Sequence, residues 1–168
     1  MYRKGHQGMA LLFAAPPSVL LILTTGNPGA GLPFTALAFT VAMLPDTDQR
    51  IPFVKHRGIT HTIVFAVAVA LIGGVLLFQL VQIVLPWRDL PAVLLFGYVA
   101  SALFVGLLSH LFADSLTVGS GDYAIHPFWP ISDREARLGL TTASSTIWNV
   151  SLLAAGIAVQ IVVYAVVI

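Results

Sequence analysis

Residues 59–85 read ITHTIVFAVAVALIGGVLLFQLVQIVL, a run without a single Asp, Glu, Lys or Arg. At 1.5 Å per residue a helix of this length is roughly 40 Å long, more than the ~30 Å hydrocarbon core of a bilayer. Its ends must therefore reach the interface or the helix must tilt, which places His61 at a membrane boundary. Working outward, four further apolar stretches are visible: 8–24, 31–44, 90–116 and 146–168. Two of them are irregular. Pro16-Pro17 interrupts the first, and the second has too few residues to cross as a straight helix, so the first two are expected to be kinked or re-entrant. The expected fold is all-α: a polytopic membrane bundle of about five helices, residues 1–168 forming one transmembrane domain.

Composition agrees with this reading. Of the 168 residues 58% are apolar and 9% charged, whereas soluble domains carry about 25% charged residues. Lys and Arg number 8 against 7 acidic residues, a net charge of +1 that provides no field for a phosphate backbone, so nucleic acid is excluded as a bulk partner. There is no cysteine, which removes disulfides, thiolate zinc sites and a Cys nucleophile together. The basic start at Arg3-Lys4 has the outline of a secretory leader, but Pro16-Pro17 breaks the apolar region such a leader needs.

Counting alternate connections, one face receives Arg3, Lys4, Arg50, Lys55, Arg57, Arg134 and Arg137, and the other only Arg88. By the positive-inside rule the N-terminus is cytoplasmic and the C-terminus outside, in a prokaryotic plasma (inner) membrane. The parity is the same if the first two stretches form a re-entrant pair.

That parity gathers the polar residues. His6, the segment Asp46 to Arg50, the segment His56 to Thr62, and His110 with Asp114 all fall on the cytoplasmic face. His110 and Asp114, four apart, share one helix face. An extended turn after Pro45 would point Asp46 and Asp48 to the same side, and Thr60 is expected to cap the third helix with His61 facing inward. Two carboxylates about 5 Å apart at an effective dielectric of ~20 repel by roughly 3 kcal/mol, so a positive charge belongs among them. Two divalent cations on His6, Asp46, Asp48, His61, His110 and Asp114 would leave a site of net charge about +1, suited to an anion. Zinc or manganese fits mixed His and carboxylate ligation best, with magnesium as the alternative. His126 or Asp122 taken alone reads as a solvated interfacial residue, and Gly119-Ser120-Gly121 as a turn.

The elements Gly5-His6, Leu44-Pro45-Asp46-Thr47-Asp48, His56-Arg57-Gly58-Ile59-Thr60-His61-Thr62 and His110-Leu111-Phe112-Ala113-Asp114-Ser115-Leu116-Thr117 resemble, in order and spacing, the YdjM-like family. That family is described as inner-membrane, metal-dependent hydrolases, some of them under LexA control. The resemblance covers about residues 5–130 and implies a multi-helix membrane protein with a metal-dependent hydrolytic site at the matched positions. Two departures stand out: Gln49 where many relatives have His, and Val118-Gly119-Ser120-Gly121 followed by His126-Pro127-Phe128-Trp129-Pro130 where the usual pattern is altered.

The expected activity is hydrolysis of a phosphoester, such as a lipid or lipid-linked phosphate, at the cytoplasmic membrane surface. His56 is the candidate general acid or base and Arg57 the group that stabilises developing negative charge. The interfacial loop 119–142, with Tyr123, Phe128 and Trp129, would act as a lid admitting an acyl chain. Two rivals remain: a metal-ion transporter, disfavoured because the span middles offer only Gln79, Ser101 and Gln160, and a structural or regulatory module with a structural metal. The oligomeric state is left open.

Overall fold

The computed structural model describes residues 1–84, 91–118 and 124–167. Arg88 and the stretch from Gly119 to Tyr123 lie outside them. The helices are α1 (Arg3–Thr25), α2 (Gly31–Val41), α3 (Ile63–Val84), α4 (Ala92–Ser115) and α5 (Thr146–Val167). Short 3-10 turns at Pro28–Ala30 and Pro45–Arg50 extend α2 at both ends, and a third at Ile59–His61 precedes α3. Five helical segments are long and apolar enough to cross a membrane, the second running from Pro28 to Arg50 once its flanking turns are included. The chain is an all-helical integral membrane protein.

Boundaries differ from expectation where local chemistry decides them. Helix α1 begins at Arg3, so His6 lies inside it, and it continues through Pro16 and Pro17 although each proline removes one helical hydrogen bond. Helix α3 starts at Ile63, not at residue 59. Thr62 is extended (φ −121°, ψ 154°) and its Oγ1 accepts from Phe65 N at 3.1 Å, so Thr62 and not Thr60 is the cap.

Helices α1, α2 and α4 pack against one another, with α3 against α4 and α5 against α1. Their contacts use small side chains, as membrane interfaces do when backbones must approach closely. Ala14, Phe34, Ala38 and Ala102 form the seam of the inner three helices, and Ala70, Leu95, Val99 and Leu103 that of α3 on α4. Two crossings leave no room for a methyl group. A Cβ on Gly8 would lie 2.3 Å from the Leu152 carbonyl carbon, and one on Gly106 2.3 Å from Ala38 O. A polar thread joins α1, α2 and α5: Ser18 Oγ meets Thr35 Oγ1 at 2.9 Å, Thr35 donates to Gln160 Oε1 at 3.5 Å, and Gln160 Nε2 donates to Leu11 O at 2.7 Å.

Past α4, residues 124–145 fold back over the same end of the bundle. Val118 N donates to Thr141 O at 2.7 Å, Leu138 N to Ser115 O at 2.6 Å, and Ile63 N to Pro127 O at 2.8 Å.

Candidate metal centre

The topology brings the four polar clusters to one end of the bundle. His6 comes from the first turns of α1, Asp46 from the 3-10 turn after α2, His61 from the turn before α3, and His110 with Asp114 from the last turns of α4. His6, His61 and His110 are fully buried and Asp114 is nearly so, whereas the Asp46 side chain keeps 17% of its surface. One ligand atom from each of Asp46, His61, His110 and Asp114 lies within 4.8 Å of the other three. His6 joins from the side, its Nε2 3.5 Å from Asp114 Oδ1 and 3.8 Å from Asp46 Oδ2, its ring stacked on His110 at 3.9 Å between centroids.

Hydrogen bonds behind the rings decide which nitrogen faces inward. His110 Nδ1 donates to Ala42 O at 2.7 Å, one of the carbonyls that a helix C-terminus leaves unpaired. Its Nε2 therefore presents a lone pair to the centre. On His61, Nδ1 lies 3.0 Å from Thr60 Oγ1 and 3.4 Å from Asp48 Oδ2. Thr60 spends its own proton on Asp48 Oδ2 at 2.6 Å, so Thr60 Oγ1 accepts from His61 Nδ1, with the Asp48 carboxylate behind it, and Nε2 also turns inward. The two Nε2 atoms are 3.1 Å apart, with Asp46 Oδ1 and Asp114 Oδ2 3.4–3.7 Å away.

Convergent lone pairs repel unless a cation separates them. A proton is one such cation. Burial acts against charge on His61, but the Asp114 and Asp46 carboxylates, 3.4 and 3.6 Å from its Nε2, outweigh this and raise its pKa above 6.5. A metal ion is the other. His6 Nδ1, His6 Nε2 and Asp114 Oδ2 are buried with no hydrogen-bond partner among the described residues, and unspent donor atoms of this kind suit a divalent ion.

Around this core sit the remaining candidates. Residues 45–50 form a 3-10 turn, so the condition under which Asp46 and Asp48 would point to the same side is not met; Asp48 belongs to a second group with His56 and His61. His56 Nδ1 donates to Asp48 Oδ1 at 2.9 Å while 37% of its side chain stays exposed. Arg57, in the left-handed region at φ 61°, places Nη2 3.0 Å from Asp114 Oδ1, where the Met1 amino group also lies. A cleft of about 610 Å³ opens over Asp46, lined also by Arg3, Gln49, His56, Arg57 and Val118. Beyond Arg57 a second cleft of about 380 Å³ takes in Lys55, Ile59, His126 and Trp129. The described part of the expected lid thus borders this second cleft. His126, whose Nδ1 donates to Asp133 O at 2.7 Å, is separate from the metal-ligand groups.

Sequence reasoning did not single out the Ala42 carbonyl, since backbone acceptors have no sequence signature. It also passed over Asn149, whose Oδ1 accepts from Tyr2 N at 3.0 Å and ties α5 to the start of α1. An Asn within an apolar span was the available signal.

Five apolar helices with a buried His and carboxylate cluster at one end define an integral membrane protein with a candidate metal centre. The whole chain, residues 1–168, matches the model of the YdjM inner membrane protein family, and the protein belongs to that family. No curated protein and no solved structure matches it.

Proposed function

We propose that this protein is a metal-dependent hydrolase of the inner membrane that cleaves a phosphoester, such as a lipid or lipid-linked phosphate, presented at the cytoplasmic surface. The observation that carries the reading is the asymmetry of exposure: Asp46 alone among the clustered ligands reaches the surface, and it does so in a cleft shared with Arg3, His56 and Arg57. His6, Asp46, His61, His110 and Asp114 would hold the metal, zinc or manganese by ligand type. When bound, such an ion lowers the pKa of coordinated water toward ~7 and offsets charge on substrate oxygens.

The protein's own groups supply the rest. Arg57 and Arg3 attract the phosphate and Arg57 stabilises charge that develops on it. His56 Nδ1 is committed to Asp48, which leaves Nε2 to move a proton at the cleft. The first cleft is built from chain segments at one end of the bundle, so the scissile bond belongs to a headgroup and not to an acyl chain between helices. The buried polar residues of the span interiors, Ser18, Thr35 and Gln160, offer no ionisable ligand for a transported ion, which speaks against a transporter.

The test is elemental analysis of detergent-purified wild type and His110→Ala, followed by turnover of p-nitrophenyl phosphate and short-chain phosphatidic acid. Bound zinc or manganese lost in the variant, with hydrolysis abolished in an Arg57→Ala protein that keeps its metal, is the expected result. A wild-type protein that carries no metal after growth and repurification in supplemented zinc and manganese refutes the proposal.

A further inference from the structure

We propose that Asp48 is not a ligand of a second ion but the positioning residue of a one-ion centre, holding His61 toward the metal and His56 toward the cleft. The inference rests on the metal reading above and deepens it. Asp48, His56 and His61 lie close enough together to hold an ion of their own. The donor atoms say otherwise. A carboxylate has about four lone-pair positions, and Asp48 already accepts three hydrogen bonds: Oδ1 from His56 Nδ1 at 2.9 Å, and Oδ2 from Thr60 Oγ1 at 2.6 Å and from the Arg57 amide at 3.2 Å, with His61 Nδ1 a further 3.4 Å contact of Oδ2. The side chain is also fully buried. An ion here would compete with three hydrogen bonds already made, whereas in the inner group His6 and Asp114 offer atoms with none to lose. The cost of leaving such donors unpaired favours filling the inner group alone.

The same bonds give Asp48 its work. A carboxylate behind a ligating histidine fixes the ring's tautomer and orientation, and its loss typically lowers metal affinity 10–100-fold. Asp48 stands in that relation to His61 through Thr60, with its own Oδ2 3.4 Å from the same ring nitrogen. By accepting from His56 Nδ1 it keeps His56 Nε2 available in the cleft, as the aspartate of a catalytic triad does for its histidine. By accepting from the Arg57 amide it pins the left-handed turn from which the guanidinium reaches Asp114.

Cobalt(II) titration of the purified protein in detergent, read by visible ligand-field bands and by competition with a chelator, decides the matter. The wild type is expected to take one equivalent. His56→Ala should take one equivalent with unchanged bands, and Asp48→Asn one equivalent bound about 10–100-fold more weakly with shifted bands. Two equivalents in the wild type, one of them lost in His56→Ala, overturns the inference while leaving the hydrolase reading intact. So does an Asp48→Asn protein with wild-type affinity and spectrum. A wild type that binds no cobalt overturns both. Should Asp48→Asn fail to fold, the ion count of the wild type and of His56→Ala still decides, with Thr60→Ala, reversed by Thr60→Ser, reporting the shift in affinity.

Discussion

Replacing Gly8 with alanine puts a methyl group 2.3 Å from the Leu152 carbonyl carbon and 2.4 Å from both Leu152 O and Leu153 N. Favourable carbon contacts lie near 3.5–4.0 Å, so α1 and α5 must part by more than about 1 Å. Backbone atoms cannot swing aside as a side chain would. At Gly156, on the facing helix, an added Cβ would lie 2.6 Å from Gly8 O, so the two backbones approach closely there too. Overpacking of this kind costs about 1–3 kcal/mol. It also strains the Tyr2 to Asn149 bond and moves His6, two residues upstream, against a ring it stacks on at 3.9 Å. Reversible unfolding in mixed micelles, followed by circular dichroism, should show that loss of stability, and metal affinity should fall with it. Gly97→Ala is the control, since nothing lies within 4 Å of its would-be Cβ; it should be neutral or gain up to ~1 kcal/mol from helix propensity. Equal stability and metal affinity for Gly8→Ala and wild type, or equal damage from Gly97→Ala, would refute the account of the crossing.

Other outcomes follow from the same geometry. Gln160→Leu removes the donor to Leu11 O and the acceptor of Thr35, and should cost about 0.6–2 kcal/mol in the same unfolding assay. Free metal at 100 times its Kd should stabilise the fold by about 2.7 kcal/mol, and His110→Ala should abolish the shift. The raised pKa of His61 has a definite sign: its proton stabilises the ion-free fold below pH 6.5, and that contribution is lost as pH rises through the raised value. A metal must displace the proton, so affinity measured at pH 6, 7 and 8 should climb with pH; a flat profile contradicts it. Arg57→Lys keeps the charge but not the planar fork, so hydrolysis should drop at least tenfold at unchanged metal content.

Spans and the gathering of the clusters were legible because both depend on one-dimensional quantities, apolar run length and the parity of crossings. That is why the sequence groups His6, Asp46, Asp48, His61, His110 and Asp114, of which Asp48 lies in the second group with His56 and His61. Pair geometry was not legible. A small residue in an apolar span fits a close helix contact and a lipid-facing position equally well. Gly74 and Gly106 do meet neighbours closely, but Gly97 faces open space and Ser101 is exposed with its hydroxyl on Tyr98 O. Gly8 and Gly156, the tightest pair between α1 and α5, drew no notice, because composition does not reveal which helix will lie alongside. The Asp46-Thr47-Asp48 turn failed for a similar reason: a Pro start fits both an extended strand and a 3-10 turn, and tertiary bonds to Thr60, His56 and the Arg57 amide chose between them.

Helix α5 supplies none of the clustered imidazoles or carboxylates; it grips α1 instead, through the Gly8 and Gly156 crossing, Asn149 and Gln160. That division has a consequence for biogenesis. All the converging side chains have left the ribosome's catalytic centre once α4 is made, about 50 residues before α5 is finished. At about 5–20 residues per second the interval lasts roughly 3–10 s. During it the first four helices already carry the full set of candidate ligands while α1 still lacks its outer brace, so insertion of the last helix is the step that braces the gathered cluster.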